Sequence, residues 1–365
     1  MKILIYLHHP AQYHMFKYLI KEFKNKKYEV IVFAVKKDIL TDLLDADNVE
    51  YINNYPIRRS SNRFSMLKAL LKQDLGLIRY CLKNRPSIMI GTSPEICHVG
   101  YLLRIPAFSF GEDDVSLAPL NFWLSFPFAK GIVSPDVRKV GRWKHKKISY
   151  SGYQKLAYLH PKRFTPNKTK INSYIDCSKP YFLIRLSKLD AHHDTNINGF
   201  NVEILREIIY LLKDNGNIYI SSEDTLPEEF EKFKLKADIT AIHHILYFTS
   251  IYIGDSQSMA VEAAVLGVPN LRLSDFSGRI SVLEDLEKNY ELTYGFKISD
   301  SDKLIDKLQK LIKDSNLKQS WQERRKKMLK DKIDVTSFWC WFIENYPESY
   351  RIMKESPEYQ NQFKA

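Results

Sequence analysis

The chain alternates short apolar runs with amphipathic stretches of helical period, and it does so twice, on either side of one aperiodic, proline-bearing break. Such alternation is restrictive. Strands joined through helices must run parallel, and the crossover helices cover the faces of the sheet. In the first half Lys2–Leu7, Glu29–Val35, Ser87–Ile90, Ala107–Phe110 and Gly131–Ser134 read as strands. Tyr13–Asn25, Asp38–Leu44, Ser65–Asn84 and Glu95–Leu103 read as helices, and Pro86 stops the longest of them. The stretch Tyr158–Lys179, with HPKRFTPNKTK, is basic and has no period, and it reads as the linker. The alternation then restarts. Tyr181–Leu186, Asn217–Ser221, Ile251–Ile253 and Asn270–Leu273 are predicted strands; Asn201–Asp214, Pro227–Lys234, Ile242–Phe248 and Met259–Leu266 are predicted helices. Lys303–Lys330 and Ser337–Met353 form a helical tail whose aromatics Phe338, Trp339, Trp341 and Phe342 need a surface to pack on.

Composition narrows the class. A hydrophobic content of 44% with 13% aromatics belongs to a packed protein of two ordinary domains. Cys81, Cys97, Cys177 and Cys340 are scattered, which excludes a disulfide framework or a zinc motif and predicts a reduced, cytoplasmic setting. MKILIYLHHP already reads as a strand and its exit loop, so no signal peptide is expected. The apolar run 121–133 is broken by Pro127 and Lys130 and is too short to span a bilayer.

The segment GDSQSMAVEAAVLGVPNLRL carries the clearest chemistry. A strand ends at Gly254 and a helix starts within a few residues, with Ser256 and Ser258 both good N-cap types. Open N–H groups and the helix dipole at such a junction make an anion site. Gly267 ends the helix and Pro269 opens the next strand. Glu262, further along the helix, either complements the dipole or reaches a ligand diol.

This segment resembles the nucleotide-sugar signature of GT-B enzymes, among them UDP-GlcNAc 2-epimerases and the peptidoglycan GlcNAc transferase. The resemblance implies that Ser256, Gln257, Ser258 and Met259 receive a diphosphate and that Glu262 binds the ribose. HPAQYHMFKYLIKEF, IGTSPEICHVGYLLRIPAFSF, GYQKLAYLHP and RLSKLDAHHD extend the resemblance over most of the chain, to a GT-B-like family of unknown function. The implied fold is α/β and GT-B-like, with two Rossmann-like domains whose parallel sheets face a central cleft and a C-terminal helix returning to the first domain. The expected boundaries are 1–165 for the acceptor-side domain, 166–335 for the nucleotide-sugar-binding domain and 336–365 for the tail.

Further constellations follow predicted strands, where open α/β sheets place ligands. His8, His9 and His14 surround the first loop; His9 and His14 are candidate bases, with capping or packing as the alternative. Gly111 is followed by Glu112, Asp113 and Asp114, which cannot all be core. Glu112 and Asp113 are candidate proton acceptors or helix caps. Arg185, Ser187 and Lys188 open the loop that continues to His192, His193 and Asp194, and they offer cations to a diphosphate. Ser222, Glu223 and His243 are candidates near a base, by resemblance. No cofactor and no metal are implied; the nucleotide-sugar is a substrate.

The net charge of +12 fits a lysine-rich background, an anionic lipid surface or nucleic acid. The stretch Arg58–Arg79 combines cations with an apolar face, which suits an ordinary surface helix or peripheral contact with an anionic membrane. Nucleic acid is not expected, for want of a binding module. The predicted function is glycosyl transfer from a UDP-linked donor to a glycan or lipid-linked acceptor in surface polysaccharide or glycolipid assembly. The alternatives are a UDP-GlcNAc 2-epimerase and, in another class, a non-catalytic basic protein bound to nucleic acid or lipid.

Overall fold

Seven apolar segments form one parallel sheet: Lys2–Leu7 (β1), Glu29–Ala34 (β2), Ile52–Asn53 (β3), Ile88–Gly91 (β4), Ala107–Phe110 (β5), Gly131–Pro135 (β6) and Lys147–Tyr150 (β7). Their order is β3-β2-β1-β4-β5-β6-β7, and every pairing is parallel. The computed structural model describes residues 1–35, 39–53, 63–117, 119–187, 189–190 and 200–364. The described chain divides into two compact units: Met1–Arg163 with Lys332–Ala365, and Phe164–Asp331.

Alternation along the strands sorts the core of the first unit. Leu4, Tyr6, Phe33, Met89 and Ala107 face one side, where they pack with Leu77 and Cys81 of the helix Arg63–Asn84 and with Ile96, Cys97 and Val99 of the helix Pro94–Leu103. Phe108 and Phe110 point the other way. There the helix Pro10–Asn25 supplies Phe16, and the returning helix Val335–Glu344 supplies Trp339 and Phe342. Trp339 stands edge-on to Phe110 at 5.1 Å and to Tyr150 at 5.7 Å between ring centroids. The aromatic tail therefore closes the second face of the first sheet, which a purely parallel sheet requires. Arg163 reinforces its start by bonding Glu22, Asp334 and Ser337, and Asp334 caps the helix by accepting from the Ser337 N–H.

The second unit holds a five-stranded parallel sheet. Its strands are Tyr181–Leu186 (β8), Asn217–Ser222 (β11), Ile251–Gly254 (β12), Asn270–Leu273 (β13) and Tyr294–Phe296 (β14), in the order β11-β8-β12-β13-β14. Leu189–Asp190 (β9) and Phe200–Asn201 (β10) form a separate short pair. Helices Val202–Leu212, Ile242–Phe248, Gln257–Leu266, Ser281–Lys288, Ser301–Ile312 and Leu317–Asp331 surround this sheet.

Some elements differ from the sequence reading. β3, β7 and β14 and the helices Pro119–Ser125 and Ser281–Lys288 were not predicted; two of these strands are only two and three residues long, too short to show a period. The predicted linker, Tyr158–Lys179, begins inside the helix Leu156–Leu159, every residue of which is buried, and the division between the two units falls within it, after Arg163. In the second unit the helix opens at Gln257 rather than Met259, so Ser256 is the N-cap and Ser258 lies inside the first turn.

Replacing Trp339 by Ala is expected to cost about 3–5 kcal/mol, as for other buried tryptophans, read as a lower urea midpoint for the first unit. The exposed Trp123→Ala should cost less than about 0.5 kcal/mol by the same measurement.

Candidate functional site

Ligand sites in open parallel sheets lie outside the carboxyl ends of the strands, where the strand order reverses. In the second unit that point falls between β8 and β12, since the chain goes to one side of β8 for β11 and to the other for β12. The register sets a row across the sheet here: Ser221, Arg185, Gly254, Arg272 and Gly295 are successive cross-strand partners. Cross-strand partners share a face. Two arginines thus flank a glycine, at the base of the helix Gln257–Leu266.

Arg185, half-buried, donates from Nη1 to Ser221 Oγ at 2.8 Å and pairs with the exposed Glu223. Arg272 is fully buried. It donates through Nη1 to Gln257 Oε1, while its Nε and Nη2 have no partner among the described residues. Burial pushes its pKa down, against the pull of Glu287 and Glu284. Glu287, itself pushed up by burial, accepts from the Gly295 N–H at 3.1 Å. A Cβ on Gly295 would come within 2.4 Å of Arg272 Nη2, so the glycine makes room for the cation.

The helix above this row opens at Ser256, whose hydroxyl accepts from the Met259 N–H at 3.4 Å. Its first turn holds no acid, so no carboxylate within that turn complements the dipole. Gln257 is fixed by three bonds. Its amide nitrogen donates to the Asp255 carbonyl at 3.2 Å and to Ser274 Oγ at 2.7 Å, and its oxygen accepts from Arg272. Asp255 is buried and accepts from the Ser187 N–H at 2.7 Å, which ties the loop after β8 to the turn after β12. Tyr252 lies beneath, fully buried, its hydroxyl without a hydrogen-bond partner among the described residues. Burial raises its pKa well above the usual value. The charges of Asp255, Arg185, Glu262 and Arg272 all act on it, the carboxylates raising and the guanidiniums lowering its pKa.

Glu262 is buried on the second turn, with Oε1 at 3.5 Å from His243 Nε2. His243 and His244 are both buried near Phe164, and the His244 ring lies 4.9 Å from it. His244 Nδ1 also accepts from the Asn167 N–H at 3.1 Å. Ser258 and Met259 sit half-buried in the first turn. Ser222 accepts from the Asp224 N–H at 3.2 Å; its neighbour Ser221, on the opposite face of the strand, is the serine that meets Arg185. Lys188 and residues 192–194 lie outside the described residues.

In the first unit the equivalent reversal falls between β1 and β4. His9 is exposed and caps the helix Pro10–Asn25, with Nδ1 accepting from the Ala11 N–H at 3.2 Å. The His8 N–H donates to Gln12 Oε1 at 2.6 Å, and Gln12 in turn bonds Thr92 at the end of β4. His14 is half-buried against Tyr158, 5.6 Å between rings. The acidic loop divides its roles. Glu112 is buried in an ion pair with Lys155 at 2.9 Å and accepts from the Gln154 N–H at 3.0 Å. Asp114 is buried and accepts from the Lys139 N–H at 2.7 Å, while Asp113 is exposed. Arg138, buried and with its pKa lowered to about 10, donates to the carbonyls of Gly111 and Asp113 and holds the loop.

Two parallel α/β units, each with its own reversal point and one bearing an arginine-backed helix N-terminus, define a GT-B-like protein. The chain belongs to the family described as "Protein of unknown function (DUF354)", whose model matches residues 1–336. No curated protein matches the chain. Among solved structures it is similar to S. aureus MnaA with UDP: TM-score 0.66, 14% identity, 96% of this chain and 97% of that chain covered. It is similar to the Methanocaldococcus jannaschii UDP-GlcNAc 2-epimerase with UDP-GlcNAc and UDP: TM-score 0.62, 15% identity, coverage 89% and 99%. It is also similar to the spinosyn rhamnosyltransferase SpnG with thymidine diphosphate: TM-score 0.57, 13% identity, coverage 90% and 96%.

Sequence reasoning passed over Asp255, Tyr252 and Arg272. Arg272 had a readable signal, a cation inside the apolar strand NLRL, where a charge must serve some partner. Arg272→Met removes the burial cost of the guanidinium together with its attraction to Glu287 and Glu284, so the unfolding free energy read by urea denaturation should change by no more than about 2 kcal/mol. The stabilisation that millimolar pyrophosphate gives the unmodified protein should shrink markedly in the variant, as read by thermal shift.

Proposed function

We propose that the second unit binds a nucleotide-sugar, UDP-linked, and that the protein transfers the sugar to an acceptor hydroxyl in surface polysaccharide or glycolipid assembly. The observation that carries this reading is the row Arg185–Gly254–Arg272 beneath the acid-free first turn of the helix Gln257–Leu266. In this reading the diphosphate lies on the open N–H groups around Ser256–Met259. Arg185 and Arg272 oppose the charge that grows on it as the glycosidic bond breaks. Glu262, held beside His243, takes the ribose diol. Ser187, Ser222, Glu223 and the His243 loop complete the nucleotide contacts.

Proton removal from the acceptor falls to the first unit. His9 and Asp113 are its exposed candidates and His14 a half-buried one. Glu112 is already committed to Lys155, which suits it to holding the loop. Fold likeness to proteins solved with UDP, UDP-GlcNAc and thymidine diphosphate supports the substrate class by analogy.

Epimerisation of UDP-GlcNAc is the second reading, since it uses the same diphosphate seat and requires acid and base groups of the same kinds. Incubation with UDP-GlcNAc alone separates the two. The transfer reading expects neither UDP-ManNAc nor free ManNAc, and UDP release that depends on added acceptor; either ManNAc species formed without acceptor overturns it. Glu262→Gln should raise the KM for the donor about tenfold or more, by weakening a charged hydrogen bond to the ribose, and should change kcat less.

A further inference from the structure

Large apolar side chains exposed one at a time are ordinary on a protein surface; contiguous ones mark an interaction face. Nine of the fifteen large hydrophobics exposed among the described residues fall between Leu71 and Phe128 of the first unit. They lie on three helices that pack side by side, Arg63–Asn84, Pro94–Leu103 and Pro119–Ser125, and on the turn that follows.

The geometry makes these residues one face. On the first helix Leu71, Leu75 and Leu82 fall within about 40° of one another at the helical period, and each is at least half exposed. On the second, Tyr101 and Leu102 flank His98 and are 68% and 64% exposed. His98 ties the three helices together. Its Nδ1 meets Asp74 Oδ2 at 2.9 Å and its Nε2 meets the Leu124 carbonyl at 2.9 Å. Phe128 stands edge-on to both His98 and Tyr101. On the third helix Leu120 is 68% and Trp123 50% exposed. Arg142 covers one side of Trp123, with Cζ 3.6 Å from a ring centroid.

Charge identifies the occupant. Lys68, Lys72 and Arg79 are exposed on the first helix, Arg104 directly after the second, Lys130 shortly after the third, and Lys144 on the short helix Gly141–Lys146. The acids on these helices are withdrawn: Asp74 is bonded to His98, and Glu95 is buried. Between residues 119 and 146 the single exposed acid is Asp136. A second copy of this chain would set cation against cation, in a molecule of net charge +12. Exposed leucines and aromatics ringed by lysine and arginine match the headgroup region of an anionic bilayer, where aliphatic chains enter the acyl boundary, tryptophan and tyrosine sit at the headgroups and cations meet phosphate.

We propose that this three-helix face docks on the surface of an anionic phospholipid bilayer, with Leu120, Trp123, Tyr101 and Leu102 inserted and the surrounding cations on lipid phosphates. The described part of the stretch Arg58–Arg79 contributes Lys68, Leu71, Lys72, Leu75 and Arg79 to this face, and the other two helices extend it; the rest of the stretch lies outside the described residues. It stands independently of the nucleotide-sugar reading, because its residues belong to no part of the second unit.

The test is flotation of the whole protein with vesicles of phosphatidylcholine alone and of phosphatidylcholine mixed equally with phosphatidylglycerol. The protein should float with the mixed vesicles and stay behind with the neutral ones. Leu120→Glu/Trp123→Glu and Arg142→Glu/Lys144→Glu should each lower the bound fraction about tenfold or more. All four positions are exposed, so melting temperatures should stay unchanged and show that folding is intact. Equal binding to both vesicle types, or full binding by the leucine–tryptophan variant, overturns the proposal. So does a dimer, seen by sedimentation, that the same variant abolishes; that outcome assigns the face to a second copy. RNA retention lost in the variant without any vesicle binding overturns it in favour of nucleic acid.

Discussion

Everything that matters in this molecule follows from sheets whose strands all run the same way. A parallel strand cannot return through a tight hairpin, so each connection becomes a crossover and each strand delivers its following loop to the same edge of the sheet. Among the described residues there are two large sheets of this kind, one of seven strands and one of five, beside the short parallel pair of β9 and β10. Each large sheet brings polar, chemistry-bearing residues to the carboxyl ends of its strands, and in the second sheet Arg185, Ser221 and Arg272 lie within the last residues of the strands themselves. The same constraint explains the C-terminal aromatics. A parallel sheet left bare on one face would expose Phe108 and Phe110, and the returning helix with Trp339 and Phe342 covers them.

The second sheet adds an electrostatic constraint. A fully buried arginine costs several kcal/mol in desolvation unless charges or hydrogen bonds offset it. Arg272 makes one hydrogen bond, to Gln257, and keeps two nitrogens without partners among the described residues. A protein tuned for stability alone would carry an apolar residue there, as its neighbours Leu271 and Leu273 are. Retaining the cation is physically sensible if its charge is used. The positive end of the helix Gln257–Leu266 and the guanidinium of Arg185 act at the same place, so three sources of positive potential converge on one turn of backbone.

The first unit distributes its charges differently. Acids that a linear reading groups as one cluster separate in space. Glu112 pairs with Lys155, Asp114 binds the Lys139 amide, and Asp113 alone faces solvent. His9 and His14 separate in the same way, one capping a helix in the open and the other packed against Tyr158. The exposed face on the helices Arg63–Asn84, Pro94–Leu103 and Pro119–Ser125 lies on one of these crossover layers, where a leucine costs little until something covers it.

The sequence by itself determined the α/β class, the doubled alternation and the helix-start turn at Ser256, because hydrophobic period and capping chemistry are local properties of the chain. Glu262 and His243 were both legible as candidates, each from its own helix, but their approach to 3.5 Å was not. Only the tertiary structure decided which serine meets Arg185, that Glu112 is tied to Lys155, and that Arg272 stands beside Gly254 under the helix. Those facts depend on strand register. Register joins residues far apart in the chain, Arg185 with Gly254 and Gly254 with Arg272, through backbone bonds that carry no mark in the local sequence.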